Sequence, residues 1–173
     1  NTSGLKDLYD FSKMVKRHNV ILVRINYRLG PFGWFTHPAI QGLQNGIDKT
    51  SNFGTLDIVQ ALKWVQKNIL LFGGDPQNVT IFGESAGGHN VYSLIASKKA
   101  EGLFHKAIAM SGYTTSISPQ QAYKQNKHSS TSDYTSFNVV NRLSEKEKLN
   151  SNIEIRNFLL SLEANDFFED YSN

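Results

Sequence analysis

A chain of 173 residues, 39% hydrophobic and 19% charged, is long enough for one domain with a real core and short for two. Its net charge of +3 is small and evenly spread, which argues against nucleic acid as a partner, and no apolar run approaches the roughly 20 residues that cross a bilayer. With no cysteine, disulfides, thiol catalysis and thiolate metal sites are excluded, while compartment (secreted, periplasmic or cytoplasmic) and oligomeric state stay open.

The chain opens on Asn1 with no charged-then-apolar leader, so residues ahead of it are expected to be missing. Leu5, Leu8, Phe11 and Val15 recur at helical spacing and predict an amphipathic helix over 5–17. The nearly continuous apolar run Val20 to Ile25 reads as a strand buried on both faces of a parallel sheet. From Leu29 to Phe53 the chain is rich in Gly, Pro, Asn and aromatics without a period, which predicts a long functional loop. Phe32, Trp34 and Phe35 in it would either line a pocket or plug the core. Ile58, Leu62, Val65 and Ile69 then form one helical stripe flanked by Trp64, and Gly73-Gly74 stops it. A turn at Asp75-Pro76 leads to a strand over 79–82, a helix over 86–98, a turn at Gly102 and a strand over 106–110. Strand, helix and strand in alternation call for right-handed crossovers and a parallel sheet with helices on both faces.

Beyond Gly112 the character changes. Residues 113–135 are polar and rich in Ser, Thr and Gln, a surface excursion. Phe137, Val140 and Leu143 predict a helix, and Ser151 with Glu154 is a capping box that opens another through Leu162. Asn165 is placed to cap a last short helix. The organisation expected is a single incomplete α/β domain, with sheet and elbow in 1–112 and a mostly helical excursion in 113–173.

The chemistry concentrates at Gly83-Glu84-Ser85-Ala86-Gly87, between the apolar run ending at Phe82 and the helix starting at Ala86. A serine between glycines at a strand-to-helix corner is the G-x-S-x-G nucleophile elbow. The turn is tight, so glycine is expected at both Gly83 and Gly87, and the hydroxyl is expected to stand clear of the sheet. Ser85 also opens a helix whose first N–H groups have no intrahelical partner and can meet developing negative charge.

The surrounding wording extends the motif: Asn26-Tyr27-Arg28-Leu29-Gly30-Pro31, Asn52-Phe53-Gly54-Thr55-Leu56-Asp57, Phe72 through Gly88, Gly102-Leu103-Phe104-His105-Lys106-Ala107-Ile108 and Ser111-Gly112 occur in order. From about residue 20 to 112 this resembles the type-B carboxylesterase and lipase family, the branch that includes the cholinesterases. The resemblance implies a partial α/β-hydrolase fold, a small-molecule ester as substrate, and hydrolysis through an acyl-enzyme without any cofactor or metal. It implies Ser85 as nucleophile and the Ala86 N–H as one oxyanion donor, with Gly83, Glu84 and Gly87 shaping the elbow. Glu84 would tune the site or anchor the turn through hydrogen bonds. Arg28 and Asp57 match positions that form a buried ion pair beneath the site, a structural role.

The family's glycine-rich oxyanion segment has no counterpart here, and neither do the later strands that carry its acid and histidine. Glu101 with His105 or His128 is the only set that keeps the order serine, acid, histidine. The expectation is therefore an internal piece of a longer esterase, inactive alone. His89, one turn along from Ser85, packs or lines the site, and His18, His37 and His105 lack metal-ligand spacing. Asn78-Val79-Thr80 fits a glycosylation sequon, but a strand entrance predicts buried backbone and no sugar. A non-catalytic esterase-like binding or adhesion domain is the alternative; such relatives replace the nucleophile, whereas Ser85 is kept. An acyl transfer on the same scaffold is a third reading.

Overall fold

The computed structural model describes residues 10–123 and 135–172, and they gather into two compact units. One takes in residues through Leu29 and Gly54–Thr115; the other takes in Gly30–Phe53 and residues from Ser116 onward. His128 lies outside the described residues, as does the start of the helix expected over 5–17, of which α1 (Ser12–Arg17) is observed.

In the first unit, α4 (Phe53–Asn68) carries the expected stripe. Ile58, Leu62, Val65 and the following Ile69 are all buried, because residues three and four apart share one helix face. A 3-10 turn at Ile69–Phe72 ends at Gly73, whose φ of 81° is the left-handed conformation that glycine adopts freely. The chain then enters β1 (Thr80–Glu84), crosses through α5 (Ala86–Ala96), and returns as β2 (Lys106–Met110). The two strands pair in parallel, from Thr80 with Lys106 to Glu84 with Met110. Parallel pairing requires a crossover, and α5 supplies it. Ile58, Val59 and Leu62 of α4, Ile81 of β1, Val91 and Leu94 of α5, and Ala100 make the core, with Ile25 and Tyr27 packed against it.

The expected strand at 20–25 is not a strand among the described residues, whose sheet contains β1 and β2 alone. A strand exists by its ladder, and apolar character alone does not supply one. Val20, Ile21 and Val23 are exposed accordingly.

The second unit corrects the long-loop expectation. Residues 30–49 contain α2 (Gly30–Trp34), α3 (Pro38–Gln41) and a 3-10 turn at Gly46–Lys49. These pieces are too short to show a hydrophobic period, yet their local chemistry is specific. His37 caps α3 by accepting the Ala39 N–H at Nδ1 (3.1 Å), and Pro38 sits in the first turn, where its missing N–H costs nothing. The Ser136 hydroxyl donates to the carbonyl of Thr36, and the His37 ring meets Tyr123 edge-on at 5.3 Å. Burial lowers the His37 pKa to about 4, because desolvation disfavours the imidazolium.

After α6 (Pro119–Tyr123), α7 (Ser136–Glu147) buries Val139, Val140 and Leu143. The core face of α7 thus includes Val139, and Phe137 is only half-buried. α8 (Asn152–Ser161) begins with the expected capping box: Ser151 Oγ accepts the Glu154 N–H while the Glu154 carboxylate accepts the Ser151 N–H. In α9 (Ala164–Ser172), Asn165 lies within the first turn and is not the cap. Phe32 and Phe35 meet Phe167 edge-on at 6.0 and 5.6 Å, but Phe32 and Trp34 are exposed and Phe35 is half-buried, so none of the three is a fully buried plug. Among the described residues no helix is long and apolar enough to cross a membrane.

Candidate active site

Ser85 stands where β1 becomes α5, with φ 54° and ψ −116°. A non-glycine residue in this region stores about 1–3 kcal/mol of backbone strain, which persists only where the surroundings over-determine it. The surroundings here are backbone. The Ser85 N–H donates to the Met110 carbonyl at 2.9 Å, and its own carbonyl accepts the His89 N–H at 3.0 Å. Ser85 occupies the N-cap position, yet its side chain makes no capping bond. A serine there normally spends its hydroxyl on the N2 or N3 N–H. The bend turns this one away, and the residue is exposed.

The two elbow glycines differ. A Cβ on Gly83 would run into the backbone carbonyl of Gly87, so the strand end and the helix start cross with no room for a side chain. A Cβ on Gly87 would meet nothing within 4 Å. The expectation that both positions are pressed against backbone is therefore corrected: the crowding points from Gly83 to Gly87 only. A second crowded glycine, Gly88, carries no expectation from the sequence. A Cβ there would come within 2.7 Å of the Met110 carbonyl oxygen and 3.0 Å of the Gly112 backbone. The Gly87-Gly88 doublet was the available signal, though it does not say which strand comes near.

Ala86 is the first residue of α5, and its N–H lacks an intrahelical carbonyl. Glu84 ends β1 beside Ser85 and is exposed, and His89 is half-buried one turn along. His105 sits at the far end of the sheet, where its Nδ1 accepts the Val79 N–H at 3.2 Å. The five residues of β1 separate Val79 from Ser85, so the span is roughly 20 Å at about 3.3 Å per residue step. The Glu101–His105 pairing therefore has no access to the elbow.

Arg28 and Asp57 do meet. Arg28 Nε donates to Asp57 Oδ2 at 2.8 Å, Nη2 to Oδ1 at 2.8 Å, and the Arg28 N–H to Oδ2 at 2.9 Å. These bonds hold the Asp57 carboxyl below its usual range and raise Arg28. Burial is the part of the expectation that fails: the Arg28 side chain is 52% exposed and that of Asp57 is 27% exposed. Asn78 is likewise exposed, and its Oδ1 accepts from Lys106 Nζ at 2.6 Å, contrary to the buried strand entrance expected for the sequon.

Comparison with known proteins gives a consistent picture. The model of the carboxylesterase family matches residues 1–173. The chain is similar to the para-nitrobenzyl esterase of Bacillus subtilis (strain 168), 47% identical over 120 residues, covering 69% of this chain and 24% of that protein. It is similar to a cocaine esterase of Homo sapiens, 50% identical over 109 residues, covering 63% of this chain and 18% of that one. Among solved structures, a PNB esterase superposes with a TM-score of 0.78 at 34% identity, covering 100% of this chain and 32% of its own. A carboxylesterase of Geobacillus stearothermophilus gives 0.76 at 33% identity, covering 99% and 32%. The chain thus spans a quarter or less of these curated relatives and about a third of the solved chains. The expected α/β-hydrolase fold agrees with these neighbours, as does the two-stranded parallel sheet with its crossover helix.

Proposed function

The chain belongs to the carboxylesterase family, and from that premise we propose that it carries the nucleophile of a serine hydrolase acting on small carboxylic esters. The observation behind the proposal is Ser85: exposed, strained at φ 54°, and withheld from capping its own helix. In this reading Ser85 Oγ attacks the ester carbonyl while its proton passes to a base. The carbonyl oxygen becomes an oxyanion held by the Ala86 N–H together with other donors, and fixed donors of this kind are each worth about 10²–10³ in turnover. Collapse breaks the bond to the alcohol oxygen, which takes the proton and leaves. Water then attacks the acyl-enzyme by the same route, returning the proton to Ser85.

The base and its orienting acid are proposed to come from outside residues 1–173, as the family resemblance implies; of the internal alternatives, His105 lies at the opposite strand end and His128 lies outside the described residues. On that reading the 173-residue chain alone turns over esters negligibly. Gly83 lets the elbow close on the Gly87 backbone, Glu84 flanks it, and the Arg28–Asp57 pair braces the start of α4. An acid-quenched reaction of a full-length protein carrying this chain with an aryl ester tests the mechanism. An acyl group on the Ser85 peptide by mass spectrometry is the expected result. Full turnover by a Ser85→Ala variant would overturn it.

A further inference from the structure

Ser111, the residue after β2, has φ 52°. Apart from Ser85, the described non-glycine residues with positive φ are Ser111 and Lys148, and Lys148 has the ordinary reason that it ends α7 in a left-handed cap. Ser111 ends no helix. It is one step beyond Met110, which pairs with Glu84, so the two strained serines follow a matched pair at the same edge of the sheet. Gly112 comes next, and a Cβ on it would lie 2.5 Å from the carbonyl carbon of Gly88, 2.8 Å from its oxygen and 2.8 Å from the His89 nitrogen. Backbone therefore lies on backbone, Gly112 against Gly88, within the first turn of α5.

We propose that the Ser111–Gly112 bend is a positioning element for Ser85, acting through the Gly112–Gly88 backbone clasp; this rests on the nucleophile reading above. The Met110 carbonyl fixes the Ser85 N–H, and two residues on, the bend lays Gly112 against Gly88 and fixes the helix start as well. Ser85 and Ala86 belong to the turn that these two contacts hold against the end of β2. The bend thus sets how far the helix start stands from the end of β2, and with it the angle at which the hydroxyl and the oxyanion donor meet a carbonyl. Carbon atoms pack at about 3.5–4.0 Å, so a methyl group on Gly112 would force the two backbones apart by about 1 Å. A displacement of that size at a reacting centre costs about 100-fold in rate.

The test uses a full-length protein carrying this chain. Gly112→Ala is expected to lower kcat and the rate of fluorophosphonate labelling at Ser85 together by about 100-fold, with KM within about threefold. A folded Gly112→Ala protein that labels at the wild-type rate, or that changes KM alone, overturns the proposal while leaving the nucleophile reading intact. A wild-type protein that never labels at Ser85 brings down both. Should Gly112→Ala fail to fold, hydrogen exchange on the unaltered protein decides. The His89 amide, which lies against Gly112, is expected to exchange at least about 100-fold more slowly than an open loop, and exchange at the open-loop rate overturns the clasp.

Discussion

Replacing Gly83 by alanine is expected to cost about 2–4 kcal/mol of stability, because the new methyl meets Gly87 backbone that cannot yield without moving the elbow. Gly87→Ala, with open space around its Cβ, is expected to stay within about 1 kcal/mol of the unaltered chain. Paired urea titrations check the contrast, and equal losses would contradict it. His37 makes a second prediction at this scale. Its pKa is about 4 folded and 6.5 in the ordinary state, so between these values the unfolded chain binds more protons. Stability therefore rises with pH across that window and is lost on acidification, by roughly 3 kcal/mol at most. His37→Asn keeps a capping acceptor without a titrating ring and is expected to flatten the slope below pH 6.5 in unfolding measured by urea. The residue pattern Gly-Glu-Ser-Ala-Gly was legible at once, since local steric demand writes itself into sequence. The Gly88–Gly112 clasp was not, because it joins positions 24 residues apart that touch only when β2 lies beside β1.

Among the elements, β2 was readable to the residue, and the buried stripe of α4 was readable from its period although the helix begins at Phe53, ahead of the first stripe residue Ile58. The run at 20–25 carries an equally apolar signal, yet it is no strand among the described residues and Val20, Ile21 and Val23 are exposed, so apolar character alone supplies neither burial nor a ladder. Between Leu29 and Phe53 the helices last only one turn or so, below the window in which a period can be seen, and their signals are caps such as His37-Pro38. Two substitutions probe element-level bonds. Ser151→Ala removes one half of the capping box on α8 and is expected to cost about 1 kcal/mol in thermal or urea unfolding. Asp57→Ala removes three bonds to Arg28, but with the arginine half-exposed the loss is expected to stay near 1–2 kcal/mol, well below the 3–5 kcal/mol of a broken buried pair.

For the whole molecule, the sheet places an exposed serine at the carboxyl end of β1, where open α/β sheets bind their ligands. Residues 1–173 fall within the carboxylesterase family and span about a third of the solved relatives. The fold class could be read from sequence because motif, strand and helix occur in the order that one crossover demands. The base could not, since no described histidine shares the elbow's end of the sheet with a carboxylate bonded to it. The most direct measurement is fluorophosphonate labelling of a full-length protein carrying this chain, with peptide mapping of the adduct. One covalent phosphonyl group on Ser85, lost in Ser85→Ala, is the result predicted; a folded, ester-hydrolysing protein that carries no adduct at Ser85 would contradict the account.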